Sequence, residues 1–231
     1  MKVKPPASGE AAAKPRRRVL IIDDHIIVRQ GLKHLINREE DWFVCGDAGD
    51  AREGMEAIPC VKPDVILVDI SLPGMNGIEF VKNARASHPA IPVVVFSMHD
   101  ESLYAERVLR AGALGYVMKK ADSEEIITAL RKALRGEIHT SGAVGATLVQ
   151  KFLNKQQPRN ALSISTLSDR ELEIFEMIGH GKSTREIAAS LNLSPKTVDT
   201  HRMHVKGKLG LRTATELVQH AVHHVERGEE A

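Results

Sequence analysis

Residues 65–69 read Val65-Ile66-Leu67-Val68-Asp69, four aliphatic side chains without a polar interruption and then a carboxylate, followed at once by Ser71, Pro73, Gly74, Asn76 and Gly77. A run too short for a helix, apolar at every position and closed by turn residues, fits a strand buried on both faces of a sheet. Similar runs recur at Val19 to Asp23, Phe43 to Asp47, Val93 to Ser97 and Gly115 to Met118. Between and after them, amphipathic stretches of helical length fall near 26–38, 51–58, 77–87, 101–111 and 123–135. Five β-then-α units predict an α/β domain built on a doubly wound, five-stranded parallel sheet of flavodoxin-like type.

Beyond residue 136 the pattern changes. Residues 139–165 gather Gly142, Gly145, Gln156, Gln157, Pro158 and Asn160 around one short amphipathic piece, and read as a linker with a weak helix. After Leu167 the periodicity is helical throughout, over 168–179, 183–191, 194–209 and 212–226. The expected division is a disordered basic tail at 1–17, an α/β domain at 18–136, a linker at 137–164, an all-α four-helix domain at 165–226 and a short tail at 227–231.

The 231 residues suffice for two domains, each with a core of its own. No apolar stretch approaches the ~20 residues of a membrane span, so a water-soluble, cytoplasmic protein is expected. Six basic residues against Glu10 put the first eighteen residues at net +5, and with the whole chain at +2 the remainder stands near −3. A case for nucleic acid must therefore rest on a local basic patch, not on the chain's overall charge. Cys45 and Cys60 lack metal-binding spacing and read as small buried hydrophobes of a reducing compartment.

Side chains leaving the carboxyl ends of neighbouring parallel strands converge on one crevice, which brings Asp23, Asp24 and Asp69 together with Ser97 and Lys119. Carboxylates ~4 Å apart repel by a few kcal/mol at an effective dielectric near 20. A divalent cation relieves that repulsion, and hard oxygen donors too few to enclose it suit Mg²⁺, which keeps waters and takes a phosphoryl oxygen. A carboxylate left free is then a nucleophile towards phosphorus, with Lys119 offsetting charge on the transferred group, and Asp69 is the central candidate. One Asp ending a strand means little; three on adjacent strand ends, with Ser97 and Lys119 on the next two, mean a site.

The segments VLIIDDH (19–25), ILVDISLPGMNGIEF (66–80), VVVFSMHDE (93–101) and GALGYVMKK (112–120) resemble the receiver domain of bacterial two-component response regulators over about residues 18–136. The resemblance implies Asp69 as phosphoacceptor, Asp24 as a direct metal ligand, Asp23 acting through water and the carbonyl of Ser71 as a third protein ligand. It further implies that Ser97 and Lys119 bind the phosphoryl group, that Tyr116 is an aromatic switch, and that a cis peptide follows Lys119. Met98 stands where many receivers carry a small residue, either restricting access to the pocket or lying along its rim.

In the second domain, Ser194-Pro195 supplies an N-cap and a proline at the first helical position, after a short turn from the preceding helix. Val198, Val205 and Leu209 mark the inward face of the second helix, leaving Lys196, Asp199, Thr200, Met203 and Lys206 outward. Residues 194–212 hold Lys196, Arg202, Lys206, Lys208 and Arg212 against Asp199 alone, where phosphate contacts would fix register on DNA. The string from Leu167 to Arg212 resembles the LuxR/NarL/FixJ-type helix-turn-helix domain across 165–226. That resemblance implies phosphate contacts from Lys182, Ser183, Thr184, Lys196, Thr197, Arg202 and Lys206, base readers in Asp199, Thr200 and Met203, and a fold-supporting polar contact by Glu171. Ala214, Leu217, Val218, Ala221, Val222 and Val225 form a stripe wide enough for a dimer face. His220, His223 and His224 read as solvated.

The expectation is a phosphorylation-gated transcription regulator, partnered by a sensor histidine kinase and a double-stranded DNA operator, forming a homodimer when phosphorylated. It would be no enzyme beyond its own phosphotransfer and dephosphorylation. Its rivals are a hydrolase with Asp69 as covalent intermediate and a partner-binding module without DNA contact.

Overall fold

The computed structural model describes residues 15–153 and 163–229; residues 1–14 of the tail expected at 1–17, part of the linker and the last two residues lie outside the described residues, and Arg17, expected in that tail, is the first residue of a strand. Strands β1 (Arg17–Ile22), β2 (Trp42–Ala48), β3 (Val65–Val68), β4 (Val93–Ser97) and β5 (Gly115–Met118) alternate with helices α1 (Ile26–Asn37), α2 (Ala51–Val61), α3 (Gly77–Ser87), α4 (Glu101–Ala111) and α5 (Ser123–Leu134). All pairings are parallel, in the order β2-β1-β3-β4-β5, so the order reverses beside β1 and β3. Ligand sites of open α/β sheets lie outside the carboxyl ends at such a reversal.

The two-residue period of the strands sorts their side chains onto two cores. Leu20, Ile22, Ile66, Val68, Val93, Val95 and Tyr116 face one buried cluster, and Val19, Ile21, Val65, Leu67, Val94, Phe96 and Val117 face the other. That double burial is why the strand runs are apolar throughout. Helices begin where side chains take up otherwise orphaned amides: Asp50 accepts from Glu53 N, Asn76 from Glu79 N and Asp100 from Ser102 N.

Several expectations need correction. The helix expected to stop at residue 58 continues through Pro59 to Val61 and ends on Lys62 in the left-handed region; burial of Ile58 against the sheet outweighs the hydrogen bond that proline cannot donate. Cys60, expected buried, is exposed, and Cys45 is half-buried. No cis peptide occurs among the described residues, so the bond after Lys119 is trans.

After α5, His139 forms a parallel bridge with Gly115: Tyr116 N donates to His139 O at 2.9 Å and His139 N donates to Leu114 O at 2.9 Å. The linker thus starts as an added rung on the sheet edge. Helix α6 (Gly142–Leu153) follows, and a 3-10 turn (Ile164–Thr166) opens the helical domain of α7 (Asp169–Gly179), α8 (Thr184–Ser190), α9 (Pro195–Lys208) and α10 (Ala214–Glu229). Helix α10 runs three residues past the expected boundary at 226. It packs on α7 so closely that a Cβ at Gly179 would sit 2.5 Å from the Ala221 carbonyl oxygen. Capping boxes at Ser168/Glu171 and Ser183/Glu186 start α7 and α8. No described helix is long and apolar enough to cross a membrane.

Candidate phosphoacceptor pocket and DNA-facing helix

Each acidic residue of the pocket sits one or two positions past a strand end. Asp69 N donates to Ile22 O at 2.8 Å, which continues the β1–β3 ladder one residue further and points the Asp69 carboxylate into the crevice beside Asp23. A close approach holds it from behind: Gly77 N donates to Ile70 O, and a Cβ at Gly77 would lie 1.9 Å from the Asp69 carbonyl oxygen. Only glycine fits there.

Lys119, just past β5, places Nζ 2.7 Å from Asp69 Oδ2 and 2.6 Å from Asp23 Oδ2. Burial works against the ammonium charge, yet Asp69 and Asp23 overcome it and raise the Lys119 pKa. Asp69 Oδ1 is buried and takes no hydrogen bond. Asp24 is more open, pairs with His25 Nδ1 at 2.6 Å, and has its pKa raised chiefly by burial, with His25 opposing. One ligand atom each from Asp23, Asp24, His25 and Asp69 lies within 4.8 Å of the others. An orphaned buried carboxylate oxygen within a mostly hard-oxygen set fits a small divalent cation of the Mg²⁺ kind.

The rest of the predicted pocket surrounds this cluster. Ser97 is buried at the end of β4, its Oγ accepting from His99 N at 3.3 Å and its carbonyl from Lys119 N at 2.8 Å. Tyr116 is fully buried, with its hydroxyl donating to His99 O at 2.7 Å. Ser71 Oγ lies 2.8 Å from His99 Nε2. Met98, at 71 % exposure, lies outside the pocket rather than closing it.

His99 and its partners are what the sequence reading missed. The ring's other nitrogen, Nδ1, donates to Glu176 Oε2 of α7 at 2.6 Å, and the same oxygen accepts from the buried Tyr104 hydroxyl at 2.9 Å. Burial pushes the His99 pKa down, but the Glu176 hydrogen bond and charge more than reverse this and raise it. Around this centre Asp169 pairs with Lys82 at 2.8 Å and Arg107 at 3.1 Å, Arg170 donates to Gly74 O, and Gly74 N donates to Leu191 O at 3.2 Å. The apolar cluster on that face of the sheet continues into the helical domain through Leu167, Leu172 and Phe175. The helical domain is therefore docked on the loops following β3 and β4, the same loops that carry Ser71 and His99.

That docking leaves α9 open. Lys196, Asp199, Thr200 and Met203 are exposed, while Thr197, Arg202 and Lys206 are half-buried, and Val198, Val205 and Leu209 turn inward as expected. Ser194 caps the helix by accepting from Thr197 N at 3.0 Å. Thr184 bridges the two helices, donating to Asp199 Oδ1 and accepting from Arg202, both at 3.4 Å. Thr200, exposed, donates its hydroxyl hydrogen to Lys196 O at 3.0 Å. Lys182 and Ser183 are exposed at the start of α8. On α10, Leu217 and Ala221 are buried against α7, Val222 and Val225 are half-buried, and Val218 is 38 % exposed. His220 and His223 are exposed, but His224 is half-buried with its ring 5.5 Å from that of Phe175.

A sheet ordered 2-1-3-4-5 with an acidic crevice and a lysine at its carboxyl end, followed by a helix-turn-helix unit, matches two family models: the response regulator receiver domain over residues 19–131, and the luxR family of bacterial regulatory proteins over residues 165–221. The chain belongs to the response regulators that join a receiver to a LuxR-type DNA-binding domain. It is 35 % identical over 209 residues to the oxygen regulatory protein NreC of Staphylococcus aureus, covering 89 % of this chain and 96 % of that protein. Among solved structures it is similar to RcsB of Salmonella enterica serovar Typhimurium bound to the promoter rprA in the presence of the phosphomimetic BeF3-, with TM-score 0.62, 25 % identity, and 90 % and 98 % of the two chains covered. A LuxR-family two-component response regulator from Aurantimonas sp. SI85-9A1 is 32 % identical, with TM-score 0.56, over 60 % of this chain and 99 % of that one.

Proposed function

We propose that this chain is a phosphorylation-gated transcription regulator whose residues 18–136 receive a phosphoryl group on Asp69 and whose residues 165–226 bind operator DNA in response, with 137–164 as the connector. The carrying observation is the Asp69 carboxylate, one oxygen held by Lys119 and the other buried without a partner. A strand-capping aspartate would use both oxygens in the fold. Here the Asp69 carboxylate attacks phosphorus as the P–N bond to the histidine of a sensor kinase breaks, and the leaving imidazole takes up a proton. Lys119 moves its charge to the transferred group, and Ser97 donates to a phosphoryl oxygen. Mg²⁺ is the proposed cofactor, held by Asp24 and Asp69, the Ser71 carbonyl and, through water, Asp23; bound there, it supplies positive charge that stabilises the transferring group.

Phosphorylation adds about one negative charge and three acceptor oxygens two residues from Ser71 and across from Ser97. Ser71 Oγ contacts the His99 ring and Ser97 Oγ accepts from the His99 backbone amide, so rearrangement of these hydroxyls alters the placement of the ring that holds Glu176. Docking and phosphorylation then oppose each other, and release of the helical domain permits pairing through the Val218 face of α10 into a homodimer. The promoter complex of RcsB with BeF3- supports the DNA half of this reading. Lys182, Ser183, Thr184, Lys196, Thr197, Arg202 and Lys206 are assigned to phosphate contacts, and Asp199, Thr200 and Met203 to base edges, in the cytoplasm where chromosomal DNA is reached.

Incubation with Mg²⁺ and acetyl phosphate is expected to add one acid-stable, base-labile phosphate to the wild-type chain and none to Asp69→Asn. Equal labelling of both would refute the assignment.

A further inference from the structure

Behind the reading face of α9 lies a second set of metal-type donors. Glu171 of α7 and His201 and His204 of α9 each bring one ligand atom within 4.8 Å of the other two. The two histidines are three residues apart on one helix and therefore share a face, while the glutamate arrives from the neighbouring helix. Glu171 is buried and firmly placed: its Oε2 accepts from Ser168 N at 2.7 Å and from Lys208 Nζ at 2.6 Å, and its Oε1 faces His204 Nδ1 at 3.8 Å. His201 Nδ1 is buried and has no hydrogen-bond partner. A buried ring nitrogen left unpaired is destabilising, so an occupant that takes its lone pair relieves a real penalty.

The protonation states agree. Burial lowers the His201 pKa, which keeps the ring neutral. Burial pushes Glu171 up, but Lys208 and the Ser168 amide and hydroxyl outweigh it and hold the carboxylate ionised.

We propose that Glu171, His201 and His204 form a site for a divalent transition cation of the Zn²⁺ type, with water completing the shell. Imidazole nitrogens select such ions over Mg²⁺ or Ca²⁺, which separates this site from the oxygen-rich pocket around Asp69. Tetrahedral ligands at about 2.1 Å from an ion stand roughly 3.4 Å apart, so occupation requires a small inward swing of the exposed His204 ring. Lys208, two-fifths exposed, is the present counter-charge of Glu171 and is free to turn to solvent as the ion replaces it. The ion would cross-link α7 to the DNA-facing helix.

Titration of the full-length chain with Zn²⁺ by calorimetry, and with Co²⁺ by visible absorption, tests this. An Asp24→Asn background in saturating Mg²⁺ keeps the receiver pocket silent. One ion per chain is expected, bound at least tenfold more weakly by His204→Ala and by His201→Asn, and several-fold more tightly by Lys208→Gln, which removes the competing ammonium. The His220→Ala/His223→Ala double variant should bind as the parent does. His204 is exposed, so its variant is expected to fold, as circular dichroism would verify. Unchanged binding by His204→Ala, or loss in the His220/His223 variant instead, would overturn the site. Weaker binding by Lys208→Gln would overturn the exchange of counter-charges.

Discussion

The Nδ1 of His99 donates to Oε2 of Glu176 across 2.6 Å, joining the loop after β4 to the first long helix of the DNA-binding domain over 77 residues of chain. The Tyr104 hydroxyl reaches the same oxygen. Charge-assisted hydrogen bonds inside a protein contribute about 1.5–3 kcal/mol, so Glu176 is a large part of what holds the domains together. Glu176→Ala is expected to lengthen the particle in small-angle scattering and to speed labelling by acetyl phosphate several-fold. An unchanged radius of gyration would refute this role.

Lys119 and a divalent cation compete for the same carboxylates. Lys119→Met should therefore tighten Mg²⁺ binding at least tenfold, since an ammonium within hydrogen-bond distance of two carboxylates contributes a few kcal/mol at an effective dielectric near 20. The same variant should label more slowly, because the transferred group loses its cation. Mg²⁺ affinity that is unchanged or weaker would count against the shared-charge description of the pocket.

Glu173 gives a pH signature. Its Oε2 accepts from Arg170 at 2.8 Å, its Oε1 is buried without a partner, and burial raises its pKa against the opposing pull of Arg170. A carboxyl with a raised folded pKa binds more protons folded than unfolded, so its stabilisation is complete below the ordinary glutamate value and is lost as pH rises through the folded value. His99, also raised, contributes in the same direction. Urea unfolding should show a smaller loss of stability between pH 5 and pH 8 for Glu173→Gln than for the parent; an identical loss would remove Glu173 from the account.

On DNA, Arg202→Ala and Lys206→Ala should each reduce the slope of log affinity against log salt by about 1, without changing which sequence is preferred. Met203→Ala should leave the salt slope alone and relax preference among sites. Gel-shift titrations at several ionic strengths distinguish the two behaviours.

Gly77→Ala would drive a methyl into the Asp69 carbonyl. Forced overpacking costs about 1–3 kcal/mol and more against backbone, so a fall of several degrees in the thermal midpoint is expected, with slower labelling because Asp69 shifts. Gly74→Ala, at an open position with positive φ, should cost less.

The receiver pocket was legible because its residues close apolar runs, and parallel topology gathers strand ends whatever lies between them. Helix starts were legible for a similar reason: a capping side chain sits within three residues of the amide it satisfies, as Ser183 does for Glu186. The domain interface left no comparable trace. His99, Glu176 and Tyr104 are individually unremarkable polar residues, and only folding brings them together. The passage of α2 through Pro59 was not legible, because the burial that offsets proline's local penalty exists only in the folded chain. The histidines of α10 stand out as a run in the sequence, whereas the donors that converge are His201 and His204, whose three-residue spacing is readable but whose third partner, Glu171, comes from another helix.

The rung that His139 adds beside Tyr116 has a mechanical consequence. A connector clamped to the sheet at its near end can pivot only beyond that clamp, so a released DNA-binding domain stays on a short leash. Under the proposed function, its effective concentration near the receiver would remain high, and recapture would be fast once the phosphate is gone. Weakening that rung should prolong the signal by slowing reset, without touching the chemistry that starts it.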